Sequence, residues 1–223
     1  MGAILDGYER HVLPWIIALA MRSAAVRVER ERLVPRAAGV VLEIGVGSGL
    51  NLPFYGPAVE RVIGVDPSPR LLAMTRRRAR RHRRPLRLVQ ASAERLPLED
   101  AVADTVVSTW TLCSIAAPVA ALREMRRVLR PGGAFVFIEH GRAPDAAVRR
   151  WQDRITPVWR RVAGGCHVNR DIPALVTAGG FELQELDVGY GRGPRFASYL
   201  FRGVARAAPG EQAARGGGAA GGP

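Results

Sequence analysis

Short apolar runs alternate with amphipathic segments along most of this chain. The runs are rich in Val, Leu and Ile, which is typical of strands buried on both faces. We therefore predict strands at residues 40–44, 61–65, 86–89, 105–108 and 134–138. Helices are expected from Ser68 or Pro69 to an arginine cluster and over residues 118–129. Strands that alternate with helices predict βαβ units and a parallel sheet.

The alternation also predicts where a ligand binds. Right-handed crossovers place the carboxyl ends of all five strands at one edge of the sheet. Ligands bind at that edge, near the point where the strand order reverses. Side chains and loops that directly follow the strands are therefore the first candidates for function.

The pattern loosens over residues 141–170, which carry two prolines, two tryptophans and the segment "GGCHVNR". We predict a short helical insertion followed by a loop. A helix is expected at residues 172–178, followed by two strands at 181–188 and 197–202 that form a hairpin with a long loop. The glycine-rich tail, residues 204–223, is expected to be disordered.

The N-terminal part contains an apolar run, residues 12–21, which is about half the length that a membrane span needs. A signal peptide is disfavoured because Asp6 and Glu9 precede the run. An amphipathic helix that starts near Pro14 is the favoured interpretation. Such a helix would either cover the active site or lie on a membrane surface.

The positive charge of the chain allows two interpretations, a solvated surface or an anionic partner. The formal net charge is +13, and all 33 Lys and Arg residues are arginine, seven of them within residues 76–84. This cluster is interpreted as a solvated helix face and its exit loop, with lipid headgroups or nucleic acid as the alternative partner. No aromatic residue interleaves the cluster, so nucleic acid is the less favoured partner.

The cysteine content bears on the compartment. Two cysteines, Cys113 and Cys166, are too few for a disulfide scaffold and favour a reducing environment. We expect a cytoplasmic protein, with peripheral membrane association as the alternative.

A glycine-rich segment, "VLEIGVGSG", follows the first strand. Gly45, Gly47 and Gly49 remove side chains where a ligand approaches, and we expect positive φ at one of them. We also expect a helix to follow. A dinucleotide fingerprint needs a small residue where Leu50 stands, which argues against a nicotinamide cofactor. A P-loop is excluded because no Gly-Lys-Ser/Thr follows.

Asp66 ends the second strand. A carboxylate at this place can accept hydrogen bonds from both hydroxyls of a ribose. The alternative is that Asp66 caps the helix that begins at "PSP". Its coincidence with the glycine loop favours the ribose.

Five segments together resemble a known family. "VLEIGVGSG", "VIGVDPS", "ASAERLPLED", "DTVVSTWTLCSI" and "LREMRRVLRPGGAFVFIEHG" are similar to successive motifs of class I S-adenosylmethionine (SAM)-dependent methyltransferases. "LNLPFY", "TWTLCSI", "EHG" and "GGCHVNR" resemble a narrower group of small bacterial proteins akin to membrane-associated thiol methyltransferases and phospholipid N-methyltransferases. The resemblance implies a Rossmann-like α/β fold: a seven-stranded, mostly parallel sheet with helices on both faces and an antiparallel last strand.

The resemblance also implies which residues contact SAM. The glycines would face its methionine part beside Thr109, Glu43 would reach its amino group, Asp66 would bind the ribose, and the others would surround the adenine. Ser92 departs from the family, because many relatives have Asp there. The implied residues are Glu43, Gly45, Gly47, Gly49, Asp66, Pro67, Ser68, Ser92, Ala93 and Thr109.

Candidates for acceptor chemistry follow the later strands. His140 is expected to accept a proton or orient the substrate, or else to make a structural hydrogen bond. His167 lies in a glycine-preceded loop that we expect either to cover the site or to cap the next helix through Asn169 or Asp171. We expect no metal, because Cys113, His140, Cys166 and His167 lack local ligand pairs of the CxxC kind. Phe54, Trp151 and Trp159 are candidates for the walls of an apolar pocket.

The sequence therefore predicts a SAM-dependent methyltransferase acting on a small, apolar thiol, amine or hydroxyl. An N-terminal helical cap at residues 1–38 would precede the methyltransferase domain at residues 39–203, with a cap insertion at 141–170. The alternatives are a nicotinamide-dependent oxidoreductase, a nucleic-acid methyltransferase that uses the cluster at 76–84, and a SAM-binding protein without turnover.

Overall fold

A computed structural model describes residues 2–82 and 84–208. Within these ranges, one sheet contains strands in the order β3-β2-β1-β4-β5-β7-β6. The strands are β1 (Gly39–Ile44), β2 (Val59–Val65), β3 (Leu86–Val89), β4 (Ala103–Thr109), β5 (Leu129–His140), β6 (Phe181–Tyr190) and β7 (Tyr199–Ala207).

The pairing of the strands confirms the predicted sheet. β1 pairs in parallel with β2 and β4, and β4 pairs in parallel with β5. The last strand, β7, runs antiparallel to both β5 and β6. Since β1 lies between β2 and β4, the chain leaves the ends of β1 and β4 in opposite directions. This arrangement opens the crevice in which doubly wound folds bind their ligands.

Helices pack on both faces of the sheet. They are α1 (Gly2–His11), α2 (Leu13–Ala20), α3 (Ala24–Leu33), α4 (Pro69–Ala79), α5 (Pro118–Val128), α6 (Ala146–Val162) and α7 (Ile172–Ala178). Leu42 of β1 belongs to the core that contains Leu122 and Met125 of α5. Its neighbour Val41 belongs to the opposite core, against which Ala79 of α4 packs. Adjacent residues of β1 thus pack into the cores on opposite faces of the sheet, because successive side chains of a strand point to opposite faces.

Two predicted helix starts are confirmed by their caps. The Ser68 hydroxyl accepts a hydrogen bond from the Leu71 N–H at 3.3 Å at the start of α4. Asp171 accepts one from the Ala174 N–H at 3.1 Å at the start of α7. Asn169, the alternative cap, instead donates to Asp153. Each cap satisfies one of the free N–H groups of a first turn.

Three local elements differ from the predictions. A 3-10 turn, Leu52–Phe54, follows the glycine loop where a helix was expected. β5 begins at Leu129 rather than at 134, so "RPGG", which follows the end of α5 as predicted, is already part of the strand. The insertion contains the 17-residue helix α6 rather than a short one. Tertiary packing decides these cases, and local propensity is only a weak guide to them.

The C-terminal end of the domain also differs from the predicted boundary. β7 continues to Ala207 and therefore passes the expected domain end at 203. Most of the predicted disordered tail, residues 209–223, lies outside the described residues, as does Arg83 of the arginine cluster. Across residues 2–82 and 84–208, no helix has both the length and the apolar character needed to cross a bilayer.

Candidate active site

A cavity of about 430 Å³ lies at the carboxyl ends of β1, β2 and β4. Every residue that the sequence assigns to the cofactor lines this cavity, except Gly49. The sheet topology brings these residues together from four separate segments of the chain. The lining members of the predicted set are Glu43, Gly45, Gly47, Asp66, Pro67, Ser68, Ser92, Ala93 and Thr109.

The three glycines of the loop have different roles. All three have positive φ, at 68°, 55° and 74° for Gly45, Gly47 and Gly49. A Cβ on Gly47 would meet nothing nearer than the Gly45 carbonyl oxygen at 3.7 Å, so the bare backbone borders open space. A Cβ on Gly45 would lie 2.2 Å from the Thr111 hydroxyl. Gly49 is buried and does not line the cavity, since a Cβ there would lie 3.1 Å from both Leu52 and Thr75, so its expected contact with the cofactor stays a prediction.

Helix α4 holds the glycine loop from behind. The Thr75 hydroxyl donates to the Gly47 carbonyl oxygen at 2.6 Å. Arg78 donates from Nε to the Ser48 carbonyl oxygen at 2.9 Å. Two described members of the arginine cluster therefore have structural roles, because Arg84 also donates to the Gly56 carbonyl oxygen, whereas Arg76 and Arg77 are exposed.

Asp66 is fixed at the end of β2 by two backbone donors. Its Oδ2 accepts from the Gly47 N–H at 3.0 Å, and its Oδ1 accepts from the Ser68 N–H at 2.8 Å. The residue is only 5% exposed. Burial raises the pKa of Asp66, while the two backbone hydrogen bonds act in the opposite direction. Each oxygen keeps a further lone pair for a ligand hydroxyl.

Glu43 belongs to a buried polar network on the other side of the loop. It accepts from the Tyr55 hydroxyl at 2.7 Å and from Asn51 Nδ2 at 2.9 Å. The same Asn51 amide nitrogen donates to the Thr109 hydroxyl at 3.1 Å. Burial raises the pKa of Glu43 to about 7, although the hydrogen bond from Tyr55 and the charge of Arg30 oppose this shift.

Arg30 is the main residue of the cavity that the sequence did not reveal. It comes from α3, is 5% exposed, and lines the cavity. Its Nε donates to Asn51 Oδ1 at 2.9 Å, and its guanidinium lies 5.1 Å from the ring centroid of Trp110. Burial lowers the pKa of Arg30 to about 10. The arginine therefore remains a cation at neutral pH.

Trp110 also marks the site. It follows β4 directly, lines the cavity, and has a φ of 50°. Left-handed backbone is uncommon for a bulky residue and is often found at functional sites. Its position directly after a strand is the signal by which the sequence could have identified it.

Helix α2 covers the cavity with apolar side chains. Leu13, Ile17 and Met21 line it. A Cβ on Gly164 would lie 3.1 Å from the Leu13 side chain, so α2 also touches the loop after α6. On the other side of α2, Trp15 and Leu19 are exposed. The two uses predicted for this helix, a cover and a surface contact, thus fall on opposite faces.

The two histidines expected to act on the acceptor do not line the cavity. His140 is buried, and its Nε2 lies 3.2 Å from Cys166 Sγ. His167 donates its backbone N–H to the Cys113 carbonyl oxygen, and its Nδ1 lies 3.2 Å from Arg170. The catalytic roles predicted for His140 and His167 are therefore not supported by their positions. Both side chains lie behind the cavity wall.

The aromatic residues expected to form a pocket wall are also elsewhere. Trp151 is exposed on α6. Trp159 packs edge-on against Phe196, with ring centroids 5.5 Å apart. Phe54 packs against one of the sheet cores. Apolar residues of α2, together with Leu71, Trp110 and Ile115, line the cavity instead.

The chain matches proteins of known class. The family model for a methyltransferase domain matches residues 42–137. A phosphatidylethanolamine N-methyltransferase of Cereibacter sphaeroides is 34% identical over 154 residues, which cover 66% of this chain and 75% of that protein. Thiol S-methyltransferase TMT1B of Rattus norvegicus is 38% identical over 135 residues, or 59% of this chain and 55% of the relative. The chain thus matches only about half the length of that relative.

A solved structure agrees with the fold. The N-methyltransferase NodS of Bradyrhizobium japonicum, in complex with S-adenosyl-L-homocysteine, has a TM-score of 0.65, is 19% identical, and is matched over 92% of this chain and 97% of its own. At that identity the likeness bears on the fold alone. Together with the sequence relatives, it establishes that this chain belongs to the class I SAM-dependent methyltransferases.

Proposed function

We propose that this protein transfers the methyl group of SAM to a small, apolar thiol. The observation that carries the proposal is that one cavity combines a buried carboxylate beside bare backbone with an apolar cover from α2. Bound SAM supplies a methyl group that is already activated on a sulfonium. The protein then has to position the two reactants and exclude water.

The nucleoside end of the cofactor fits the Asp66 side of the cavity. The carboxylate of Asp66 accepts the ribose hydroxyls, using the lone pairs that Gly47 and Ser68 leave free. The open space at Gly47 lets the ligand approach the backbone. Pro67 and Ala93 flank the adenine.

Glu94 supplies the carboxylate that many relatives carry at the position of Ser92. Both residues line the cavity, and the Ser92 hydroxyl donates to Glu94 Oε2. A carboxylate oriented in this way can accept from the adenine amino group. Ser92 then acts as a positioning residue for Glu94.

The methionine end of the cofactor fits the Arg30 side. This end of the cofactor carries one carboxylate and one ammonium group. Arg30 offers a cation to the carboxylate, and Glu43, with Asn51 beside it, offers acceptors to the ammonium group. Arg30 and Glu43 are joined through Asn51 in one buried network, so Arg30 can meet the carboxylate of the cofactor and Glu43 can meet its ammonium group.

A thiol is the acceptor that best suits this cavity. The described residues that line it include no histidine and no cysteine. A hydroxyl acceptor usually needs a positioned base, whereas a thiol is partly ionised at neutral pH and is strongly nucleophilic as its anion. The name of the rat relative, a thiol S-methyltransferase, supports the same choice.

The acceptor class can be tested with matched compounds. The protein is incubated with methyl-labelled SAM and with alkyl thiols, amines and alcohols of equal chain length, and the products are read by mass. We expect the thiol ether as the main product, and Asp66→Ala to lower its yield at limiting SAM. Methylation of the amine or alcohol in preference to the thiol would contradict the choice of acceptor.

We also propose that the outer face of α2 lies on a membrane surface. Trp15, Ile16 and Leu19 are 53%, 48% and 73% exposed, and Arg10 and Arg22 flank the helix. An apolar face between cations suits the interface of an anionic bilayer. Co-sedimentation with anionic vesicles should fall for Leu19→Asn and persist for Leu186→Asn, an exposed apolar position on β6. Equal behaviour of the two variants would contradict the contact.

A further inference from the structure

Three donor side chains meet behind the cavity. Cys113 follows β4, His140 ends β5, and Cys166 lies in the loop after α6. One ligand atom of each lies within 4.8 Å of the others, and all three residues are buried. Cys166 Sγ lies 3.2 Å from His140 Nε2. No pair of these residues is close in the sequence, which is why their spacing led us to expect no metal.

The donor set has the chemistry of a site for a soft metal ion. Two thiolates and one imidazole are the ligands that Zn²⁺ prefers, at bond lengths of about 2.3 Å and 2.0 Å. Donor atoms around a tetrahedral ion with those bonds are roughly 3.5–4 Å apart. The three side chains therefore need to move little to share one ion.

The surroundings also favour an ion. His140 Nδ1 is buried without a hydrogen-bond partner among the described residues, so this ring nitrogen is available to an ion. Buried polar atoms of this kind call for an explanation, and an ion at the site is one. The charge of Zn²⁺ is cancelled by the two thiolates. Binding thus leaves the buried cluster close to neutral.

We propose that Cys113, His140 and Cys166 bind one Zn²⁺ ion. The ion ties the loop after α6 to the ends of β4 and β5, and the fourth position is left for water or a solute. Ser114 and Gly164, which lie near these ligands in the sequence, line the cavity. The metal therefore fixes part of the cavity wall from behind.

Cobalt substitution tests the proposal. Protein stripped with a chelator is titrated with Co²⁺, and the thiolate-to-cobalt absorption is followed in the near ultraviolet. The chain contains only two cysteines, so that band reports these residues alone. We expect one ion per chain, displacement by Zn²⁺, and at least a tenfold rise in the dissociation constant for Cys113→Ser, Cys166→Ser and His140→Ala.

His167→Ala is the matched control. This histidine is adjacent to Cys166 but lies outside the donor set, so its variant should bind Co²⁺ as the unchanged protein does. Absence of the thiolate band in the unchanged protein would overturn the proposal, and this result does not depend on any variant folding. A Cys113–Cys166 disulfide that forms with oxidised glutathione, with no metal bound in the reduced protein, would also overturn it and identify a redox pair instead.

Discussion

Asp66 Oδ2 accepts a hydrogen bond from the Gly47 N–H at 3.0 Å, which joins the end of β2 to the loop after β1. This bond sets the carboxylate beside the part of the loop where no side chain stands. Two features that are separate in the sequence thus form one surface, and we propose that the ribose of the cofactor binds there. The first predictions concern the two residues of this pair.

Replacement of Asp66 should weaken cofactor binding. Asp66→Ala removes the acceptor for the ribose and leaves buried donors unpaired, at a cost of about 1–3 kcal/mol. Calorimetric titration with S-adenosylhomocysteine measures the loss. Asp187→Asn, an exposed position on β6, serves as the control. Unchanged affinity of Asp66→Ala would place the ribose elsewhere.

A comparison of Gly47→Ala with Gly132→Ala should distinguish the effect of backbone strain from that of lost ligand contact. Gly47 and Gly132 both have positive φ, and neither has a close obstacle to a Cβ. Alanine at either position should cost about 1–2 kcal/mol of folding free energy from left-handed backbone. Only Gly47→Ala should also lose affinity for S-adenosylhomocysteine, because only Gly47 borders the cavity. Equal affinity in the two variants would contradict a close approach of the ligand to Gly47.

Arg30 should recognise the amino-acid end of the cofactor. Arg30→Met is expected to weaken binding of S-adenosylhomocysteine by tenfold or more, or about 1.4 kcal/mol. Binding of 5′-methylthioadenosine, which lacks the carboxylate, should change little. Arg32→Met alters an exposed arginine of the same helix and should affect neither ligand. Equal losses for both ligands would show that Arg30 supports the fold rather than the carboxylate.

Glu43 should make stability depend on pH. Burial raises its pKa to about 7 from an ordinary value of 4.5, so the folded state holds the proton over this range while the unfolded state releases it. The stabilisation is complete below pH 4.5 and is lost as the pH rises through about 7. Glu43→Gln should remove this contribution.

Urea unfolding at several pH values measures the effect in the absence of ligand. The difference in unfolding free energy between the unchanged protein and Glu43→Gln should shift with pH across this range, whereas Glu99→Gln, an exposed control, should show no such shift. A constant difference for Glu43→Gln would contradict the raised pKa.

The parts of the site that the sequence predicted are local. The glycine loop and Asp66 each follow a strand directly, so strand prediction alone places them at the same edge of the sheet. Arg30 had no such signal. It is one of several arginines in α3, and only the packing of that helix decides that Arg30, rather than Arg27 or Arg32, is buried.

His140 shows the limit of the same reasoning. It does end β5, but the cavity lies beside β1 and β4, and the side chain instead meets Cys166 from a distant segment. Contacts between segments far apart in sequence are set by the tertiary fold. The strand edge was correctly predicted, while the neighbours of the His140 side chain at that edge were not.

The most direct test of the central claim is a crystal structure with S-adenosylhomocysteine bound. We predict that both ribose hydroxyls lie within hydrogen-bonding distance of the Asp66 carboxylate and that the sulfur faces the apolar side chains of α2. A ligand bound away from the cavity, or one whose ribose makes no contact with Asp66, would contradict the account.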